Sequence, residues 1–131
     1  GMANLDNAQH VLVAGGVLPD ATDAGVRYID LRCGQCAAVP WGSGLTTTAG
    51  APVAVTSASA FTLQDAAHAF LVGNEPTSGL THTFTLTSAG ATEIPTKVPH
   101  TNASAILSPT GGAILLFGGA NETESFTPAP P

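Results

Sequence analysis

The chain is poor in charge. Only 3 of its 131 residues are Lys or Arg and 9 are Asp or Glu, leaving a formal net charge of −6. Surface helices stabilised by Glu–Lys pairs are therefore nearly excluded. The sign of the balance disfavours nucleic acid and anionic membrane as partners. No apolar run approaches the ~20 residues needed to span a bilayer as a helix. Cysteine is scarce too: Cys33 and Cys36 are the whole supply, so a zinc site would lack its second pair of thiolates. Pairs of carboxylates, a Ser/His/Asp set and a phosphate-cradling loop at meaningful spacing are all missing. What is plentiful is Gly and Pro, 15 and 10 residues, which supply turns and veto long helices. Apolar content of 44% is ordinary for a globular domain and sufficient for one moderate core.

What is present is repetition. A short apolar run ending in a small-residue doublet occurs three times: His10-Val-Leu-Val-Ala-Gly15-Gly16, His68-Ala-Phe-Leu-Val-Gly73-Asn74 and Ala113-Ile-Leu-Leu-Phe-Gly118-Gly119. Laid without a gap over residues 100–119, residues 55–74 agree at Thr56/Thr101, Ala58/Ala103, Ser59/Ser104, Ala60/Ala105, Leu71/Leu116 and Gly73/Gly118. A second pairing sets Leu31 on Leu86, Val39 on Ile94 and Pro40 on Pro95. Spacings of this size signal stacked or ring-arranged modules. The chain is read as one all-β domain, residues 1–131, with units at about 9–40, 51–95 and 100–128.

Strands are expected at Val11–Ala14, Val26–Leu31, Ala37–Val39, Val53–Leu63, Ala69–Val72, Thr81–Leu86, Thr92–Ile94, Ser104–Leu107, Ile114–Phe117 and Glu124–Thr127. Residues 51–95 are expected to form one four-stranded antiparallel sheet with its strands adjacent in sequence order. In Thr81–Leu86, strict alternation puts His82, Phe84 and Leu86 on one face and the threonines on the other. Asp65-Ala-Ala-His is read as a hairpin tip, because the aligned segment is Thr110-Gly-Gly-Ala. Gly1-Met2 reads as a remnant of tag removal, and Phe126-Thr-Pro-Ala-Pro-Pro131 as a linker or ragged end.

The unit resembles the kelch motif of β-propellers, in which the second strand ends in Gly-Gly and a Glu-x-Tyr-Asp-Pro-like segment follows. The closest copy is Ala103–Leu107, Gly111–Gly119 and Glu124-Ser-Phe-Thr-Pro128; Tyr28-Ile-Asp-Leu31 is a looser third strand. The middle unit departs from the pattern, with Asn74 for the second Gly and no acidic residue before Phe84. Cys36 and Ala91 stand where the family has Trp. The resemblance covers roughly residues 9–128 and implies kelch-like propeller blades, with a β-sandwich as the alternative. About two and a half to three blades fall short of the 4–8 of a closed propeller. The first unit is expected to lack its opening strand and the third its closing strand. An open arc exposes faces that should be packed. Part of a longer propeller, or a homo-oligomer that completes the ring, is therefore expected, most simply two arcs making six blades.

Cys33-Gly-Gln-Cys36 falls where the family has a tight hairpin, and a II′ turn there would set the two cysteines opposite each other. Such a disulfide would add about 2 kcal/mol and imply an oxidising compartment, extracellular or periplasmic. Free thiols are the alternative; a redox motif would need a following helix, which residues 37–50 do not make. The four histidines are read as turn or surface residues, since the repeat separates them and no metal site is expected. The kelch-like copper oxidases' ligand set has no counterpart, Tyr28 being the only Tyr. Asp20, Asp23, Glu75, Asn121 and Glu122 fall in equivalent loops between second and third strands. In a propeller such loops gather on one face, which makes these five the candidate binding residues; the plain reading is solvated loops that maintain solubility. Three functions follow. The first is a non-catalytic kelch-like binding or scaffold module, without cofactor, contacting protein or glycan through blade loops. The others are a fragment of a larger propeller enzyme and a structural surface β-sandwich.

Overall fold

In the computed structural model the described residues are 1–7, 9–16, 25–34, 39–40, 44–65, 67–87, 90–110 and 112–127. All regular structure among them is β-strand: β1 Met2–Leu5, β2 His10–Ala14, β3 Val26–Asp30, β4 Val39–Pro40, β5 Ser57–Thr62, β6 Ala69–Asn74, β7 Thr81–Thr87, β8 Gly90–Glu93, β9 Ser104–Leu107, β10 Ile114–Phe117 and β11 Glu124–Phe126. They form three antiparallel meanders in chain order, β1-β2-β3-β4, β5-β6-β7-β8 and β9-β10-β11. The middle sheet has the expected strand order. The first unit, expected to begin at residue 9 without an opening strand, has one: Met2–Leu5 pairs with β2, Met2 opposite Val13 and Leu5 opposite His10. Gly1 belongs to the fold as well, since its amino group donates to Ala14 O at 2.7 Å and its carbonyl accepts from Ala14 N at 2.8 Å. The strand expected from Val53 starts only at Ser57, because Leu45, Val53 and Val55 instead turn inward as a plug beside the first two sheets.

Turn chemistry ends the strands where the sequence places small and acidic residues. Asp6 and Asn7 adopt positive φ, 51° and 55°, at the β1–β2 tip, a conformation Asn and Asp tolerate better than most residues. At the β5–β6 tip Asp65 Oδ1 accepts from the Ala67 and His68 amides at 3.1 and 3.0 Å, closing the hairpin expected there. In the third unit hydroxyls do the same work: Ala113 N donates to Ser108 Oγ at 3.2 Å.

Register decides which way each side chain points. In the middle sheet Ala60, Leu71, Phe84 and Glu93 are aligned across four strands, as are Thr62, Ala69, Leu86 and Ala91. This face packs on the first sheet, in a core with Leu5, Leu12, Ala14 and Val26. The opposite face carries Phe61, Phe70 and Val72 and packs on Ala105, Ile114, Leu116 and Phe126 of the third sheet and on Ala103 just before it. The Phe70 and Phe126 rings lie 5.2 Å apart. The middle sheet is thus the filling between two cores. This explains why β6 reads Ala-Phe-Leu-Val without alternation: both of its faces are covered. On the threonine face of β7, expected opposite Phe84, Thr81 and Thr83 are buried for the same reason, and Thr85 and Thr87 are half-buried. Close packing also fixes Gly73, where a Cβ would lie 2.8 Å from Val55 Cβ. Each large apolar side chain so buried contributes roughly 1.5–3 kcal/mol.

The opening strands lie side by side. Asn4 N donates to Thr62 Oγ1 at 2.8 Å between β1 and β5, and Gly16 N donates to Thr56 O at 2.8 Å, tying the first doublet to the next unit. Between the second and third units Thr81 N donates to His100 O at 2.9 Å and Asn102 N to Gly79 O at 2.7 Å.

Candidate functional site

Where the second and third sheets part, at the β5 and β9 edge, a cleft of about 190 Å³ opens between Ser57, Ala58, Ser59, Val72, Asn74, Asn102, Ala103 and Ser104. Its position follows from the stacking: Ser57 and Ser59 point from β5 toward the third sheet, and Asn74 lies opposite Ser57. Asn74 is held firmly. Its Nδ2 donates to Ala103 O at 3.0 Å, and its Oδ1 accepts from Thr81 Oγ1 at 2.6 Å. Thr81 Oγ1 in turn accepts from Ala103 N at 3.1 Å. The departure from the Gly doublet at position 74 therefore clamps two sheets together. Asn102 sits at φ 49° beside Gly79, so the β6–β7 loop borders the cleft. Its polar side chains are the hydroxyls of Ser57 and Ser59 and the amides of Asn74 and Asn102, beside Ala58, Val72 and Ala103; Ser104, on the outward face of β9, borders it at the edge, and no charged residue lines it.

Two histidines are buried, against the expectation of turn or surface positions. His82, 8% exposed, has Nδ1 at 3.0 Å from Glu93 Oε1 and Nε2 at 3.0 Å from Glu75 Oε1. Glu93 Oε2 accepts from Thr48 N at 2.6 Å, fastening the plug segment. His100, fully buried, lies between Gly118 O at 2.8 Å and Glu124 Oε1 at 3.1 Å. Glu124 also accepts from the Lys97 and Val98 amides at 2.8 and 3.0 Å. Each ring thus has a polar partner at both of its nitrogens. The other two stay at hairpin tips, His10 2.9 Å from Asp6 and His68 bonded to Asp65.

These contacts set the carboxylate acidities. Burial pushes Glu93 and Glu124 up. Hydrogen bonds from His82 and the Thr48 amide to the first, and from the Lys97 and Val98 amides and His100 to the second, outweigh it and hold each below the usual carboxylate range. Glu75 is lowered chiefly by the Ser78 hydroxyl and then by His82.

Ser78, Glu75 and His82 form a chain of three groups familiar from hydrolases, but in the wrong order. The Ser78 hydroxyl donates to Glu75, and Glu75 stands between it and the imidazole. A serine nucleophile needs the imidazole beside its hydroxyl to take the proton, with the carboxylate behind. The arrangement braces the β6–β7 loop and leaves the hydroxyl unactivated. Among the described residues no three His, Cys, Asp or Glu side chains converge as metal ligands.

Of the residues singled out in the sequence, Asp20, Asp23 and Cys36 lie outside the described residues. Glu75 is engaged as above. Glu122 is half exposed and 3.5 Å from Lys97 Nζ, and Asn121 is exposed beside it. Cys33 follows β3 in a turn closed by its amide on Asp30 O at 3.3 Å. Asn74 was visible in the sequence as a break in the doublet. Ser57, Ser59, Asn102 and Ser104 carried no signal of their own, though Ser59/Ser104 is one of the repeat matches. Comparison with protein-family models, characterised proteins and solved structures finds no match to this chain.

Proposed function

We propose that the chain is a set of kelch-like propeller blades acting as a non-catalytic binding scaffold, and that the contact is made at the rim around the cleft. The observation that carries the reading is the stack of three sequential meanders with their opening strands adjacent and a neutral polar cleft between two of them. Meanders repeated about an axis are how propellers present their loops. Serine hydroxyls and asparagine amides suit a neutral ligand rich in hydroxyls or amides, a glycan or an extended peptide. A volume of 190 Å³ is below the roughly 300–1,000 Å³ of pockets that enclose a whole small molecule. One sugar ring or one side chain of a longer ligand fits that scale. The exposed Asn121 and Glu122 belong to the same proposal as loop contacts. An exported location is likewise proposed, on the strength of the Cys33–Cys36 spacing.

Titration of the isotopically labelled chain with neutral oligosaccharides and peptides tests this by amide NMR. The expected response is a shift of the Asn74 and Asn102 side-chain amides, weakened at least tenfold by Ser57→Ala with Ser59→Ala. Ligand-induced shifts confined to other surfaces, or turnover of the added ligand, would refute the reading.

A further inference from the structure

The two interior junctions are built by one rule. Each sheet offers one face to the sheet after it and the opposite face to the sheet before it, and corresponding positions are fixed by register. The second sheet meets the third with Ser59, Phe61, Phe70 and Val72. The corresponding positions of the third sheet are Ser104, Ile106, Leu115 and Phe117, aligned on the side away from the second sheet. Ile106 is 49% and Phe117 40% exposed. Among its described strands that face has no charged residue, Ser125 completing it.

At the other end, the third sheet meets the second with Ala105, Ile114, Leu116 and Phe126. The first sheet carries Met2, Val11, Val13 and Ile29 at those positions, again facing away from its neighbour, with Asn4 opposite Val11 and Arg27 opposite Val13 on the same face. Met2 is 70% exposed. The stack therefore ends in two different, mainly apolar faces, one of each kind already joined twice within it.

We propose that these end faces dock head to tail on a second copy of the chain, Ile106, Leu115 and Phe117 of one against Met2, Val11, Val13 and Ile29 of the other. Two copies joined this way at both ends close a ring of six sheets, which satisfies every face and leaves no open filament end. Arg27 is the one charged residue on either face among the described strands, and Arg is the charged residue that interfaces favour. The proposal rests on the stacking order and not on ligand binding at the cleft, so either can fail without the other.

Sedimentation of the 131-residue chain at micromolar concentration is expected to give twice the 13.0 kDa chain mass. Ile106→Glu and Val13→Glu alter opposite faces, and each alone is expected to give monomers with an unchanged far-UV spectrum. Mixed together they should recover a dimer, because one junction then joins two unaltered faces. The milder Phe117→Ser and Met2→Ser are expected to raise the dissociation constant at least tenfold. A wild-type chain that stays monomeric overturns the proposal, as it would if the faces are covered by further repeats of a longer polypeptide. A dimer that survives one of the two charged variants, or a mixture that fails to reassociate, overturns the head-to-tail arrangement.

Discussion

Phe70→Ala puts the stacked arrangement under direct strain. Phe70 is 1% exposed and points from β6 to the third sheet, its ring 5.2 Å from that of Phe126. Removing the ring costs its transfer free energy and leaves a cavity between two sheets that cannot collapse without moving both, about 3–5 kcal/mol for Phe→Ala in a packed core. A domain of this length has a stability of roughly 7–20 kcal/mol at 0.05–0.15 kcal/mol per residue, so between about a sixth and two-thirds of it is at stake. With a urea slope of about 2–3 kcal/mol/M, the unfolding midpoint should fall by roughly 1–2.5 M. Leu115→Ala, at the corresponding position of the third sheet, serves as the internal comparison; under dissociating conditions it should cost less than about 1 kcal/mol, because none of the described sheets packs on that face. Equal losses at the two positions, or a Phe70→Ala loss below about 1 kcal/mol, would mean that the third sheet does not cover the second in solution.

Three further outcomes follow. Gly119 has φ 66°, and a Cβ there would run into the Thr101 backbone, so Gly119→Ala should lower thermal stability by several degrees more than Gly16→Ala, which has φ 103° but open space around it. Glu93 and Glu124 have folded acidities shifted below their unfolded values, so their contribution is present above the ordinary glutamate pKa of about 4.3 and is lost as pH falls through the lower folded values. Chemical denaturation across the acid range should show Glu124→Gln flattening that loss, and an acid limb as steep as wild type would contradict the assignment. Intact mass before and after reduction should show the Cys33–Cys36 bond as a gain of two hydrogens; ready alkylation of both thiols without reductant would exclude it.

The middle unit is the most legible in the sequence, and for a physical reason: its repeat partner lies downstream without a gap, and alternation in Thr81–Leu86 indicates the facing of β7. The continuous apolar run of β6 gave a strand but not its double burial, because a run without alternation does not say how many faces are covered. Met2–Leu5 escaped notice because four residues at a chain end carry too little pattern to outweigh an apparent tag remnant; Ala3 and Leu5 alternate inward only once β2 is there to pair with. Buried His82 and His100 could not be told from surface histidines, since their burial depends on Glu75, Glu93 and Glu124 arriving from other strands or loops. The cleft was invisible for the same reason: its serines and asparagines come from two units and meet only when the sheets stack.

Interproton contacts in the labelled chain test the central claim, sequential stacking of three meanders, more directly than any stability measurement. The account predicts contacts from the Phe70 ring to Phe126, and contacts joining Leu71 and Phe84 to the Leu5 and Leu12 cluster. It predicts none between Leu12 and Ile114, which lie on opposite sides of the middle sheet. Contacts between Leu12 and Ile114, as in two sheets closed over a single core, would contradict it.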